Sequence, residues 1–185
     1  MSSRPPVVRL RAPLPEDVDA RAALGSSAEI IRMYGFQVAA SSQVMARDKA
    51  IRWFESLLDH PCAWVIEADG ELVGHVRLDD IHETDRRGRL AIGLFNERHL
   101  GRGIGRKAIE LMLHQAFGPL KLHRVDLRVL SYNIRAIRCY EACGFLREGV
   151  ERESARVGDE WHDDWIMAIL EHEFRARIAA NNRDG

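Results

Sequence analysis

Leu100-Gly-Arg-Gly-Ile-Gly-Arg-Lys107 packs three glycines and three cations into eight residues. Glycine lets backbone approach a bulky anion closely, and Arg102, Arg106 and Lys107 supply positive charge. The segment follows an apolar run, Leu90 to Phe95, and precedes an amphipathic run with Ile109, Met112, Leu113 and Ala116 on one side. That context predicts a strand, a glycine-rich turn and a helix, whose N-terminus offers unpaired N–H groups and a positive dipole end. A pyrophosphate fits such a loop. Two other phosphate loops are set aside. A Walker loop needs Gly-Lys-Ser/Thr, which is absent, and Gly101-x-Gly103 is followed by Arg106 where a dinucleotide fingerprint needs a third glycine.

The elements that position this loop are legible in outline. Alternation over Val7 to Arg11 reads as a strand, and Pro13-Leu-Pro-Glu-Asp17 favours a helix start, giving a helix from about 16 to 24. The stretch from Gly25 to Ser42 has no clear pattern. From Gln43 to His60 the spacing predicts a helix with Val44, Ile51, Phe54, Leu57 and Leu58 on one side, ended by Pro61. Strands over Cys62 to Glu67 and Leu72 to Leu78 flank the hairpin turn Asp69-Gly70. The polar turn Glu83 to Gly88 leads into Leu90 to Phe95, so three strands form a meander. After the loop helix, which runs to about Phe117, come a strand over Val125 to Leu130 and a helix over Asn133 to Ala142 stopped by Gly144. Strands over 145 to 157 and 161 to 170 close the order β, α, α, β, β, β, α, β, α, β, β. The expected organisation is one domain over residues 1–180 with a frayed tail over 181–185.

The chain has 185 residues, enough for one sizeable core, with 27 basic against 28 acidic side chains and a formal charge of -1. Neither nucleic acid nor an anionic membrane is implied as a partner. The three cysteines, Cys62, Cys139 and Cys143, are odd in number and lack zinc-site spacing, so they read as buried thiols of a reducing compartment, and no metal is expected. Met1-Ser-Ser-Arg-Pro-Pro leads into no long apolar run, and a soluble, unprocessed, cytoplasmic protein is the expectation.

With these motifs in order, the sequence resembles the GNAT superfamily of N-acetyltransferases. That family's loop reads Gln/Arg-x-x-Gly-x-Gly/Ala, matched here by Leu100 to Gly105 at every place but the first. Asn133-x-x-Ala136-x-x-x-Tyr140-Glu-x-x-Gly144-Phe145 and Gly158-x-x-Trp161-His162-Asp163 also recur in the branch of spermidine and ribosomal-protein alanine acetyltransferases. The resemblance implies a mixed α/β fold: a bent, mostly antiparallel sheet with helices on both faces and a splayed parallel pair of strands around the glycine-loop helix. It implies acetyl-CoA as co-substrate, its pyrophosphate on residues 100–106, its pantetheine arm paired with the strand edge at Gly93, Leu94 and Phe95 and hydrogen-bonded by Asn133. Tyr140 would then face the sulfur, and a homodimer follows from family habit.

Acetyl transfer from a thioester needs a neutral amine, and an alkylamine of pKa about 10 is neutral only about one part in a thousand at pH 7, costing roughly 4 kcal/mol. The site must therefore hold a base, a donor for the oxyanion, for which the family resemblance offers a free backbone N–H near Leu94 or Phe95, and a partner for the departing thiolate. Tyr140 is the candidate for the last role. Many relatives place a glutamate on the strand before the loop, where this chain has Ala91, so Glu29 and His82 are candidates for the base, and a base acting through a water chain needs neither. Between Arg21 and Arg47 the only acidic residue is Glu29, which disfavours a polyamine; a protein N-terminus, an amino sugar or a small amine remains open as acceptor. A non-catalytic acetyl-CoA-binding module is the alternative, and a structural partner protein a third.

Overall fold

The computed structural model describes residues 4–25, 27–36 and 45–181. The chain order is β1 (Val8–Arg11), α1 (Asp17–Leu24), α2 (Ala28–Met33), α3 (Arg47–Leu58), β2 (Ala63–Ala68), β3 (Glu71–His82) and β4 (Arg87–Leu94). A 3-10 turn (Glu97–His99) follows, then α4 (Ile104–Phe117), β5 (Arg124–Leu130), α5 (Ile134–Cys143), β6 (Leu146–Val157), β7 (Glu160–Leu170) and α6 (Glu171–Asn181). The strands form one mixed sheet in the order β1-β2-β3-β4-β5-β7-β6. The pair β4 and β5 is parallel and registers Arg87–Arg89 with Arg124–Asp126, while both strands run on beyond that ladder. The mixed α/β fold and the parallel pair flanking the glycine-loop helix are as the sequence predicts.

Two compact units divide the chain. One holds residues 1–77 and 92–108, the other 78–91 and 109–185. In the first, Leu57, Val65, Leu72 and Phe95 form a buried cluster against which Leu24, Trp53 and Ala63 pack. Helix α1 is tied down at its start: Asp17, buried, accepts two hydrogen bonds from the Arg11 guanidinium at 2.7 and 2.8 Å and one from the Leu14 N–H at 2.7 Å. Arg11 also reaches Glu67 on β2 at 2.8 Å, so one cation clamps β1, β2 and α1, and these carboxylates raise its pKa above the usual arginine value. A buried carboxylate is tolerated only with such partners.

In the second unit β5 is buried on nearly every residue, as expected of an inner strand, and pairs antiparallel with β7 over its whole length. Its polar members sit in ion pairs: Asp126 with Arg89 and Arg128 with Asp164, each at 2.8 Å. Strand β6 is the exposed edge.

Two helices escaped the sequence reading. Helix α2 lies in the patternless stretch and starts at Ser27, whose hydroxyl accepts the Ile30 N–H at 3.2 Å. Helix α6 follows β7 directly and buries Phe174 against Phe117 and His114. Helix α3 begins at Arg47 rather than Gln43 and buries Ala50 and Leu57, with Trp53 half-buried. Leu58 is 56% exposed, one 100° step off that face. Gln43 and Val44 lie outside the described residues, as do 182–185 of the expected tail, while Asn181 closes α6.

Candidate active site

The glycine loop occupies 100–103 and delivers the chain into α4 at Ile104, a residue buried to 1% that anchors the helix start. Gly101 and Gly103 have φ of +69° and +78°, the left-handed region where side chains are strained, and a Cβ added to either would meet nothing within 4 Å. Glycine is therefore required by backbone conformation, and the space above it is open, as close approach of a bulky anion demands. Gly105 lies within the first turn of α4; the Lys107 N–H is the first to reach back four residues, to the Gly103 carbonyl at 3.0 Å. The N–H groups of Ile104, Gly105 and Arg106 precede it in the first turn, the place where a helix presents N–H groups outward along its axis. Arg102, Arg106 and Lys107 are exposed around them, Arg102 only 3.9 Å from Asp69, a weak surface pair.

Preceding the loop, the end of β4 is shaped by what lies on each face. The Gly93 carbonyl oxygen stands 2.2 Å from where a Gly74 Cβ would be, so β3 and β4 approach there backbone to backbone. Where a side chain of Gly93 would project, the Tyr34 hydroxyl stands instead, 1.4 Å from an ideal Cβ and 3.5 Å from the Leu94 carbonyl oxygen. Tyr34 keeps 41% of its surface exposed while its hydroxyl end is enclosed against Gly93; desolvation of that end raises the phenol pKa, and the charge of Arg21 opposes the rise. The Phe95 N–H donates to the Val73 carbonyl at 3.0 Å, which takes it out of the two N–H groups offered to an oxyanion and leaves that of Leu94, and the Phe95 ring is buried. The Arg21 guanidinium lies 4.0 Å over that ring and donates to the Gly25 carbonyl at 2.6 Å. Burial pushes the Arg21 pKa down to about 10, which still leaves it charged at neutral pH. His75 and Trp53 complete the cluster, their ring centroids each 5.5 Å from Phe95.

In the other unit, Asn133 and Tyr140 both belong to α5. Asn133 is its N-cap and accepts the Ala136 N–H at 3.2 Å. Tyr140 is buried one turn before the helix end, where its carbonyl accepts the Phe145 N–H at 3.0 Å and its ring meets Phe145 edge-on at 5.9 Å. Gly144 has φ +98° and closes that terminus. Of the two residues offered as base, Glu29 lies in the first turn of α2. His82 ends β3, half exposed, its Nδ1 accepting the Asp85 N–H at 3.1 Å and standing 3.2 Å from the Asp85 carboxylate. The sequence reading counted Arg21 only among the arginines near the variable stretch, and it missed Trp53 and His75. The signal for His75 was present: a titratable residue inside the apolar strand Leu72-Val-Gly-His-Val76.

A hollow of about 880 Å³ in the second unit is lined by Ile81, Arg86, Lys121, Leu122, Glu171 and Arg175 and holds none of the residues singled out by sequence. Among the described residues no cluster of three or more His, Cys, Asp or Glu is placed to hold a metal, and no helix is long and apolar enough to cross a membrane. The three cysteines are thiols, and burial raises the pKa of Cys62.

Residues 8–146 match the acetyltransferase (GNAT) domain family. The chain belongs to the GNAT acetyltransferases. Within that family it is 36% identical over 107 residues to the probable N-acetyltransferase YjcK of Bacillus subtilis, covering 56% of this chain and 57% of that one. It is 33% identical over 113 residues to the spermidine N(1)-acetyltransferase of Vibrio cholerae, covering 61% of this chain and 65% of the relative. The matches thus span somewhat under two thirds of either relative's length. To the L-amino acid N-acetyltransferase AaaT of Escherichia coli it is 31% identical over 120 residues, with 63% and 74% covered. The crystal structure of spermidine N-acetyltransferase from Vibrio cholerae in complex with CoA and spermine superposes with a TM-score of 0.74 at 25% identity, covering 90% of this chain and 97% of that one.

Proposed function

We propose that this GNAT protein is an acetyl-CoA-dependent N-acetyltransferase that passes the acetyl group to a small primary amine by direct attack. The observation that carries the reading is the loop at 100–103: left-handed glycines with open space above them, running into a helix start ringed by Arg102, Arg106 and Lys107. In this reading the first-turn N–H groups and the cations hold the pyrophosphate. The edge at Gly93, Leu94 and Phe95 receives the pantetheine arm as an added strand, and Asn133 hydrogen-bonds it. Tyr140 meets the sulfur. Because an ordinary phenol is a weaker acid than a thiol by about 1.5 pKa units, roughly 2 kcal/mol, Tyr140 stabilises the thiolate chiefly as a hydrogen-bond donor.

For the acceptor, relatives named for spermidine and for L-amino acids both support an amine of low molecular weight. The buried, charged Arg21 over Phe95 repels a polycation, so a compact amine, neutral or carboxylate-bearing apart from its reacting nitrogen, is favoured over a polyamine.

Calorimetric titration with acetyl-CoA tests the reading. Wild type is expected to bind with micromolar affinity, and Gly103→Asp, whose side chain would stand in the loop's open space at φ +78°, is expected to lose binding. Tyr140→Phe should bind acetyl-CoA like wild type and turn over more slowly. Absence of binding by wild type would return the protein to a structural role; binding without CoA release from any amine would make it an acetyl-CoA-binding module.

A further inference from the structure

We propose that His75 is the base that takes the proton from the acceptor amine, an inference that rests on the acetyltransferase reading above. Within β4 the face of Gly93 carries no acid–base side chain: Ala91, two residues before, is a methyl group, and the volume over Gly93 is taken by the Tyr34 hydroxyl. The residue on that face with proton-accepting chemistry at neutral pH comes from the neighbouring strand. His75, half-buried on β3, lies with its ring 5.5 Å from the Phe95 ring at 32° and 6.4 Å from the Trp53 ring at 61°.

The groups around it divide by chemistry. Helix α1 contributes Arg21, a fixed cation over the same Phe95; the residue after α2 contributes Tyr34; α3 contributes the Trp53 ring; β2 contributes Val65, paired opposite His75 in the ladder. A guanidinium holds its proton, and a phenol whose hydroxyl is desolvated holds its own. Indole and valine do not titrate. Imidazole alone in this set has a ring nitrogen whose lone pair can take up a proton. Phe95, which His75 abuts, follows directly on the Gly93–Leu94 edge assigned to the pantetheine arm, so an amine reaching the thioester from this face passes the imidazole.

The proton and electron count closes without another reactant. The ammonium gives one proton to an imidazole nitrogen of His75. The freed lone pair forms the C–N bond at the thioester carbonyl carbon, and the C–S bond then breaks with its electron pair on sulfur. The second proton leaves the nitrogen and ends on the thiolate, yielding the amide and CoA thiol, and the imidazolium returns its proton to water.

The test measures CoA release by wild type, His75→Gln and His75→Ala with the fastest acceptor among ethylamine, benzylamine, glycinamide and spermidine. The same proteins are assayed with 2,2,2-trifluoroethylamine, which is largely neutral at pH 7 and needs no base to free its lone pair. Loss of a general base costs about 10²- to 10⁴-fold; a loss of that size is expected with the basic amine, and a much smaller one with the fluorinated amine. Added imidazole should restore part of the activity of His75→Ala, and the limb of the kcat/KM profile set by the imidazole should vanish in both variants, leaving only the rise toward the amine's own pKa of about 10. Unchanged acetyl-CoA affinity and an unchanged melting temperature for His75→Gln confirm an intact fold. Variants as active as wild type, or equally impaired with both amines and not rescued by imidazole, overturn the role of His75 alone. A wild type that releases no CoA with any amine overturns the transferase reading and the base with it; if the fluorinated amine is not a substrate of wild type, imidazole rescue and the pH limb decide.

Discussion

At the scale of single residues, the candidate site lies beside a histidine that the fold keeps neutral. His99 is 2% exposed, its Nε2 accepts the Arg98 Nε–H at 3.0 Å, and its buried Nδ1 has no hydrogen-bond partner among the described residues. Burial first, and then the charge of Arg98, holds its pKa below the usual histidine value. The unfolded chain protonates this residue at about 6.5, the folded chain only at lower pH. The unfolded state therefore gains protons first as pH falls, so the penalty is absent above that value, sets in as pH drops through about 6.5 and is complete below the folded pKa. Urea midpoints measured between pH 8 and 5 should fall for wild type more steeply than for His99→Gln; equal slopes would show that His99 protonation is not coupled to unfolding. Sequence alone gave no access to this, because His99 sits in a polar run, Asn96-Glu-Arg-His99, that reads as surface. Glu29 and His82 illustrate the converse: the titratable type is visible in sequence, the cluster of Arg21, Trp53 and His75 around Phe95 only in three dimensions.

Among elements, α5 shows why a motif can be legible for two reasons at once. Asn133, Tyr140, Gly144 and Phe145 stand at spacings that resemble a family signature, and the same residues begin and end the helix. Asn133 caps it, Gly144 takes the left-handed φ, and the Tyr140 carbonyl and ring meet the Phe145 N–H and ring. For Asn133→Ala the two contributions separate experimentally. Loss of the cap should lower unfolding free energy by about 1 kcal/mol in urea melts without ligand. Loss of the proposed bond to the pantetheine arm should raise the acetyl-CoA Kd several-fold, the worth of about 1 kcal/mol. A stability loss with unchanged Kd would confine Asn133 to the helix cap. Strands were read well wherever alternation and a turn dipeptide coincided, as at Asp69-Gly70. The errors arose where small residues carry the burial. In α3 the inward line runs through buried Ala50 and Leu57 with half-buried Trp53 between them, whereas a reading weighted to large apolar residues counted Leu58. In α6 a single buried residue, Phe174, leaves almost no periodic signal.

On the scale of the molecule, 27 basic and 28 acidic side chains leave little net field, so in the proposed function capture of acetyl-CoA falls to the local cations at 102, 106 and 107. Binding to the folded state alone also stabilises it: acetyl-CoA at a hundredfold excess over its Kd contributes about 2.7 kcal/mol, which for a chain of this length raises Tm by about 5–10 °C. Calorimetric scans with and without acetyl-CoA should show that rise in wild type and not in Gly103→Asp; a wild-type Tm that ignores acetyl-CoA would contradict the proposed site. The threading of the two units has a further consequence, one for inheritance. The chain passes from one unit to the other after Arg77, after Ala91 and after Ala108. A single genetic crossover with a relative therefore always leaves at least one unit assembled from both parents, and a clean transplant of either needs three junctions. Recombination within the family must be filtered by compatibility inside a core, which favours divergence of this chain by point substitution over exchange of whole modules.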